Sequence, residues 1–171
     1  MVQTDNVNLR PYHREDAVRY AKEWALRRNP KFYDYAALGG DCTNFASQAL
    51  YAGSGVMNYH PTSGWYYLDP NRKSPSWTGV PFLYDFLIGN RGPGPFAAEV
   101  GPETIKPGDL IQLALKQVYR FGHTLVVTEV KGTAPSEIFI SSHNRDRLNQ
   151  PLSVFQWQSI RYLHILGYRV R

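Results

Sequence analysis

The chain has 171 residues and a formal charge of +5, from 19 Lys and Arg against 14 Asp and Glu, a length that supports a sizeable hydrophobic core without staples. The positive excess is mild and scattered, so it favours solubility and gives no reason to read a nucleic-acid interface. One cysteine excludes an intramolecular disulfide framework, and no stretch has the apolar length of a membrane span or of a secretion-signal core. These features predict one soluble domain over residues 1–171, with the compartment left open.

In chain order, residues 12–29 read as an amphipathic helix. Ala17, Tyr20, Ala21, Trp24 and Ala25 share a stripe, with Arg14, Glu15, Lys22 and Arg27 outside it. Asn29-Pro30 ends it. A tyrosine-rich connector over 31–38 leads to GGDCTNFASQALYAG, residues 39–53. There Gly39 and Gly40 permit a tight turn, Asp41 is a residue type preferred at a helix N-cap, and a helix starts at Cys42 with Phe45, Ala46, Ala49 and Leu50 on its buried face. Gly53 supplies the expected stop.

Residues 54–76 carry Gly, Pro, Ser, Asn and aromatics without sustained periodicity and predict a long structured loop. Its Trp65, Tyr66 and Trp77 are either groove-wall platforms for a ligand or core fillers beneath the loop. A third helix is predicted over 80–90 from Phe82, Leu83, Phe86 and Leu87, then a segment over 91–108 punctuated by Gly and Pro and ending in KPGD. Strands follow at 110–115, 123–130, 137–142 and 160–170, rich in β-branched and aromatic residues and joined by short turns, hence antiparallel. The order implies an α+β fold, with N-terminal helices packed on a C-terminal antiparallel sheet or partial barrel, and two helices preceding any strand.

Cys42 is the candidate nucleophile, because amide groups at a helix N-terminus favour a thiolate, although Asp41 opposes it. The other reading is a small buried cysteine that only packs. Of the five histidines, His13 and His60 lie in polar surroundings and His164 interrupts an apolar strand as a structural residue. His123 opens the strand FGHTLVVTEV directly after a glycine and is the candidate base, expected to rest against the helix that bears Cys42. The next strand ends in His143, Asn144 and Asp146, each capable of holding an imidazole tautomer.

This order of residues resembles the papain-like cell-wall amidases and peptidases of the CHAP and NlpC types, and more closely the family called "putative amidase domain". The resemblance runs through AVRYAKEWALRRNP, GGDCTNFASQALYAG, GWYYLDP with PSW, KPGDLIQ, FGHTLVVTEV and SSHNRD. It implies a papain-like fold and thiol-dependent cleavage of amide bonds, with peptidoglycan peptide as the substrate. It carries over Cys42 as nucleophile and His123 as base. For the third position, His143 matches the NlpC-type pattern, whereas CHAP domains place an acid or asparagine there, which favours Asn144.

The implied reaction is acyl transfer: Cys42 attacks, His123 protonates the leaving amine, His143 holds the His123 ring, and the Cys42 amide, with a donor from the preceding turn or a side chain such as Asn44, stabilises the oxyanion. Asp41, Asn44, Trp65, Tyr66, Trp77 and Asn144 are the residues expected to line the substrate cleft. No cofactor or membrane span is expected. Two rival classes are a zinc site built from the cysteine and two histidines, which lack paired spacing, and a non-catalytic wall-glycan or protein binding module with a structural cysteine.

Overall fold

The structure, a computed structural model, describes residues 7–171; the start of the polar N-terminal lead, read above as lacking a secretion signal, lies outside the described residues. The fold is mixed α+β. In order, the elements are β1 (Asn8–Arg10), α1 (Arg14–Trp24), α2 (Cys42–Ser54), β2 (Tyr67–Asp69), β3 (Arg72–Lys73), α3 (Pro75–Thr78), α4 (Val80–Gly89) and β4 (Gly94–Val100), followed by β5 (Leu110–Ala114), β6 (His123–Val130), β7 (Ile138–Ser142), β8 (Arg147–Pro151) and β9 (Ser159–Val170). The described residues form a seven-stranded sheet in the order β1-β9-β5-β6-β7-β8, with β4 also on β9. All of these pairings are antiparallel. No helix of the described residues is long and apolar enough to cross a membrane.

Period-two alternation along β5 and β6 divides the core. Leu110 and Val126 face the helices, joining Phe45, Ala46, Ala49 and Leu50 of α2, Leu83 and Leu87 of α4, and the indoles of Trp65 and Trp77. Ile111, Leu113, Leu125 and Val127 face the other way, into a second cluster with Ile105, Ile138, Ile140 and Leu152. The central strands are thus covered on both faces, which is why they read as nearly continuous apolar runs.

Several boundaries differ from the sequence reading. The first helix stops at Trp24 because the Trp24 carbonyl accepts Nε2–H of His143 at 2.8 Å, and the chain tightens into a turn with Arg27 N–H on the same oxygen at 3.3 Å. The second helix passes through Gly53 and ends at Gly55, whose φ of 65° and N–H bond to Tyr51 O at 2.7 Å make the left-handed cap. Gly53 is instead a site of close approach, since a Cβ there would lie 2.3 Å from Cε2 of Tyr12.

A strand, β1, precedes the helices after all, and β4 and β8 occupy stretches read as turn material. All three lie at sheet edges or on the long β9, where Pro95 and polar residues satisfy a ladder without an apolar period. The 54–76 segment is a folded connection held by the β2–β3 hairpin and an Asn58–Trp65 bridge.

Candidate active site

The turn before α2 is built by two successive left-handed glycines, Gly39 at φ 102° and Gly40 at φ 122°. Only glycine fits the second, because a Cβ on Gly40 would lie 2.5 Å from Asn144 Nδ2. Asp41 occupies the N-cap position without making the capping bond. Its carboxylate instead accepts Tyr35 N–H at 2.8 Å, Asn44 Nδ2–H at 2.8 Å and His143 Nδ1–H at 2.5 Å. The Asp41 backbone amide donates to Asn144 Oδ1 at 2.5 Å.

The β7–β8 turn therefore grips the nucleophile turn. His143 is pinned at both ring nitrogens, by Asp41 and by the Trp24 carbonyl, and its ring stacks on Phe45 with centroids 4.1 Å apart. Asp146 pairs bidentately with Arg28 at 2.8 and 3.1 Å. This corrects the expectation that His143, Asn144 or Asp146 orients the His123 ring, since both His143 ring nitrogens, Asn144 Oδ1 and both Asp146 carboxylate oxygens are engaged at the Cys42 turn or with Arg28.

Cys42 is the first residue of α2 and is only 5% exposed. Its thiol lies beside Thr43 Oγ1 at 3.7 Å and takes support from the backbone amides of Thr124 and Thr43. Burial nevertheless dominates and pushes the thiol above the ordinary cysteine range, with Asp41 adding in the same direction. His123, also 5% exposed, immediately precedes Thr124. Burial holds its imidazole down at about 4, with the charge of Arg147 adding to the effect. Both groups are therefore neutral near pH 7, which replaces the thiolate expected from the helix N-terminus alone.

Strand alternation places His123 with Leu125 and Val127, on the face away from the helices, where its ring packs against Phe155 at 5.4 Å. The side chain that meets α2 is its neighbour Thr124, whose Oγ1 lies 2.9 Å from Thr43 Oγ1. The Cys42 thiol meets the backbone amide of Thr124, the residue after His123, so thiol and imidazole both lie at the first two residues of β6. Among the described residues no hydrogen bond joins them.

Asn44 is saturated, donating to Tyr33 O and Asp41 and accepting from Trp77 Nε1 at 2.9 Å, so it is no free oxyanion donor. Trp65 and Trp77 are 0% exposed and pack with tilted rings, centroids 4.8 Å apart, within the core, which removes both from a ligand-facing wall. Tyr66 is half-buried beside the exposed Tyr59. The zinc alternative finds no assembled ligand set: His143 is engaged elsewhere, and among the described residues no three His, Cys, Asp or Glu side chains gather.

Other residues near the site escaped the sequence reading. Gln112 of β5 donates to Thr124 Oγ1 and Val80 O, and accepts Arg161, whose guanidinium is sandwiched between Tyr84 and Phe121 at 3.7 and 3.9 Å. A polar chain thus runs from Thr43 across the sheet. Asp109 of KPGD is likewise a hub, accepting Arg14, His164 and the Ile165 and Lys106 amides. Arg147 of β8 also lies near His123, over the same Phe155 ring, and only the periodicity of a strand hidden in NRDRLNQP would have signalled it.

The fold and site thus define a class: helices on an antiparallel sheet, with the chain's one thiol at a helix N-terminus over the opening of a histidine-bearing strand. Comparison with known proteins adds the family. The chain belongs to the family described as "Putative amidase domain", which matches residues 11–166, and that description points to amides as substrates. It is also 37% identical over 128 residues to a protein of Bacillus subtilis (strain 168) described as "Uncharacterized protein YhbB". The match covers 72% of this chain and 40% of that relative, so the chain spans about two fifths of the relative's length. No solved structure matches the chain.

Proposed function

We propose that the chain is a thiol-dependent amide hydrolase of papain-like type, acting as one catalytic unit on amide bonds of peptidoglycan peptides. The observation that carries this reading is the Cys42 thiol at the start of α2 in contact with the Thr124 amide, one residue from His123. In the reaction, Cys42 Sγ attacks the amide carbonyl carbon while its proton passes to His123. His123 then delivers that proton to the leaving amine nitrogen as the C–N bond breaks, giving a thioester. Water attacks the thioester, again losing its proton to His123, and releases the carboxylic acid and the thiol.

Because both groups start neutral, proton transfer accompanies attack rather than preceding it. The hydrogen bond between them then forms in the substrate complex, as apo sites commonly leave it unformed. The Cys42 backbone amide, in the first turn of α2 where no intrahelical acceptor exists, is the oxyanion donor. Asp41, His143 and Asn144 hold the turn that presents the thiol and are positioning residues.

The test is release of new amino groups from defined peptidoglycan fragments by wild type, Cys42→Ala and His123→Ala. Cys42→Ala is expected to release none, and His123→Ala to be slower by about 10²–10⁴. Undiminished release by Cys42→Ala overturns the mechanism. Wall binding without any cleavage by wild type would establish the binding-module alternative instead.

A further inference from the structure

Among the described residues, one charged side chain beside His123 has no ion-pair or hydrogen-bond counterpart. Arg147 opens β8, and its guanidinium lies over Phe155 at 4.8 Å, the same ring that packs against His123 at 5.4 Å. Its Nε is buried with no hydrogen-bond partner. The carboxylates on the neighbouring chain are engaged elsewhere: Asp146 holds Arg28, and Glu129 accepts Asn149 at 3.1 Å. Ser142, the cross-strand partner of Arg147, is 0% exposed and its Oγ is also without a partner. Continuing the Val126–Ser141 pairing by one residue sets Ser142 opposite Leu125, on the His123 face.

An unpaired guanidinium nitrogen and an unpaired buried hydroxyl on one rung of a ladder are costly to leave so. Together they form a donor set matched to a carboxylate, which accepts a planar fork and a hydroxyl at once. A cavity of about 750 Å³ at the β5–β6 connection is lined as far as Gly122, the residue before His123, and its charged lining residues are Lys116 and Arg120, with no acid among them.

We propose that Arg147, with Ser142, is a carboxylate-binding subsite beside His123, so that the substrate amide carries a free carboxylate within about one residue, roughly 3.5 Å of chain, of the bond that is cut. This deepens the hydrolase reading by naming the substrate class, and it rests on that reading for the identity of the cut bond. It also couples binding to catalysis. Burial holds the His123 imidazole down and the charge of Arg147 adds to it, so a carboxylate on Arg147 cancels the second contribution and makes the base stronger.

The experiment uses the Cys42→Ala protein, titrated with N-acetylalanine or with the neutral N-acetylalaninamide, while the His123 ring-proton resonances are followed by NMR. The acid is expected to give a saturable shift with an affinity about tenfold or more above that of the amide, the difference a charge-assisted pair supplies. Adding Arg147→Met abolishes the preference. Arg147→Lys, which keeps the charge and loses the fork, weakens it and serves if the methionine variant does not fold. Equal responses to both probes, no response to either, or acid binding unchanged in the Arg147 variants overturns the subsite. Since the thiol is absent throughout, an inert Cys42 would sink the hydrolase reading and leave this result standing.

Discussion

The turn that presents Cys42 and the strand end that presents His123 differ in how fully their polar groups are satisfied. Around Cys42, Asp41 receives three hydrogen bonds on its carboxylate, its own amide is held by Asn144, and His143 is fixed at both nitrogens. Around His123, the ring meets Phe155, while among the described residues Arg147 Nε, over the same ring, and Oγ of its cross-strand partner Ser142 have no hydrogen-bond partner. A fully satisfied network resists movement, whereas buried orphans favour whatever ligand completes them. The nucleophile is held ready in the free protein, and the base acquires its final surroundings from the substrate.

Removing the centre of the satisfied side should have the largest effect. Asp41→Ala leaves the Tyr35 amide, Asn44 Nδ2 and His143 Nδ1 buried without an acceptor. It is expected to cost about 3–5 kcal/mol in urea unfolding, at about 1–3 kcal/mol per orphaned donor with partial relaxation. A loss under about 1 kcal/mol would show that the turn is not the rigid half.

On the other side, the effect is one of pH. The His123 imidazole is held at about 4 in the folded protein against 6.5 when free, so between these values the unfolded state binds the extra proton. Stability is therefore intact above pH 6.5 and falls as pH drops toward 4, by about 3 kcal/mol from this one group. His123→Leu should remove that acid-sensitive component, making the unfolding free energy of the variant about 3 kcal/mol less dependent on pH over the window. Parallel pH profiles for the two proteins would contradict the burial assigned to His123.

Smaller effects sharpen the contrast. Asn144→Ala loses the bond to the Asp41 amide and puts alanine at a φ of 65°, for an expected cost of about 1–2 kcal/mol in the same unfolding assay. Alkylation of Cys42 in that variant should accelerate as the turn loosens; an unchanged rate would remove Asn144 from the positioning set. Asp146→Ala removes only a part-exposed ion pair with Arg28 and should cost about 0.5 kcal/mol, with less difference at high salt.

Much was legible in the sequence because it depends on local chemistry and period. The α2 start at Cys42 follows from two glycines and an aspartate, α4 from helical spacing, and β6 from an unbroken run of strand formers, with His123 as its first residue. The family match over residues 11–166 agrees with the motifs that carried the resemblance. What lacked a local signature was missed: β4 and β8 are edge segments whose ladder is set by their partners, and the end of α1 is set by a histidine 119 residues away.

The sequence by itself determined which residues bear reactive groups and which element each one opens, because a helix start and a strand start are written in neighbouring side chains. Only the tertiary structure decided what those groups face. The direction of His143 toward Asp41 and Trp24, the burial of Trp65 and Trp77, and the meeting of Arg147 with the ring that packs on His123 all depend on register between strands distant in sequence. A one-residue slip in that register would exchange the two faces of the sheet without altering any local preference.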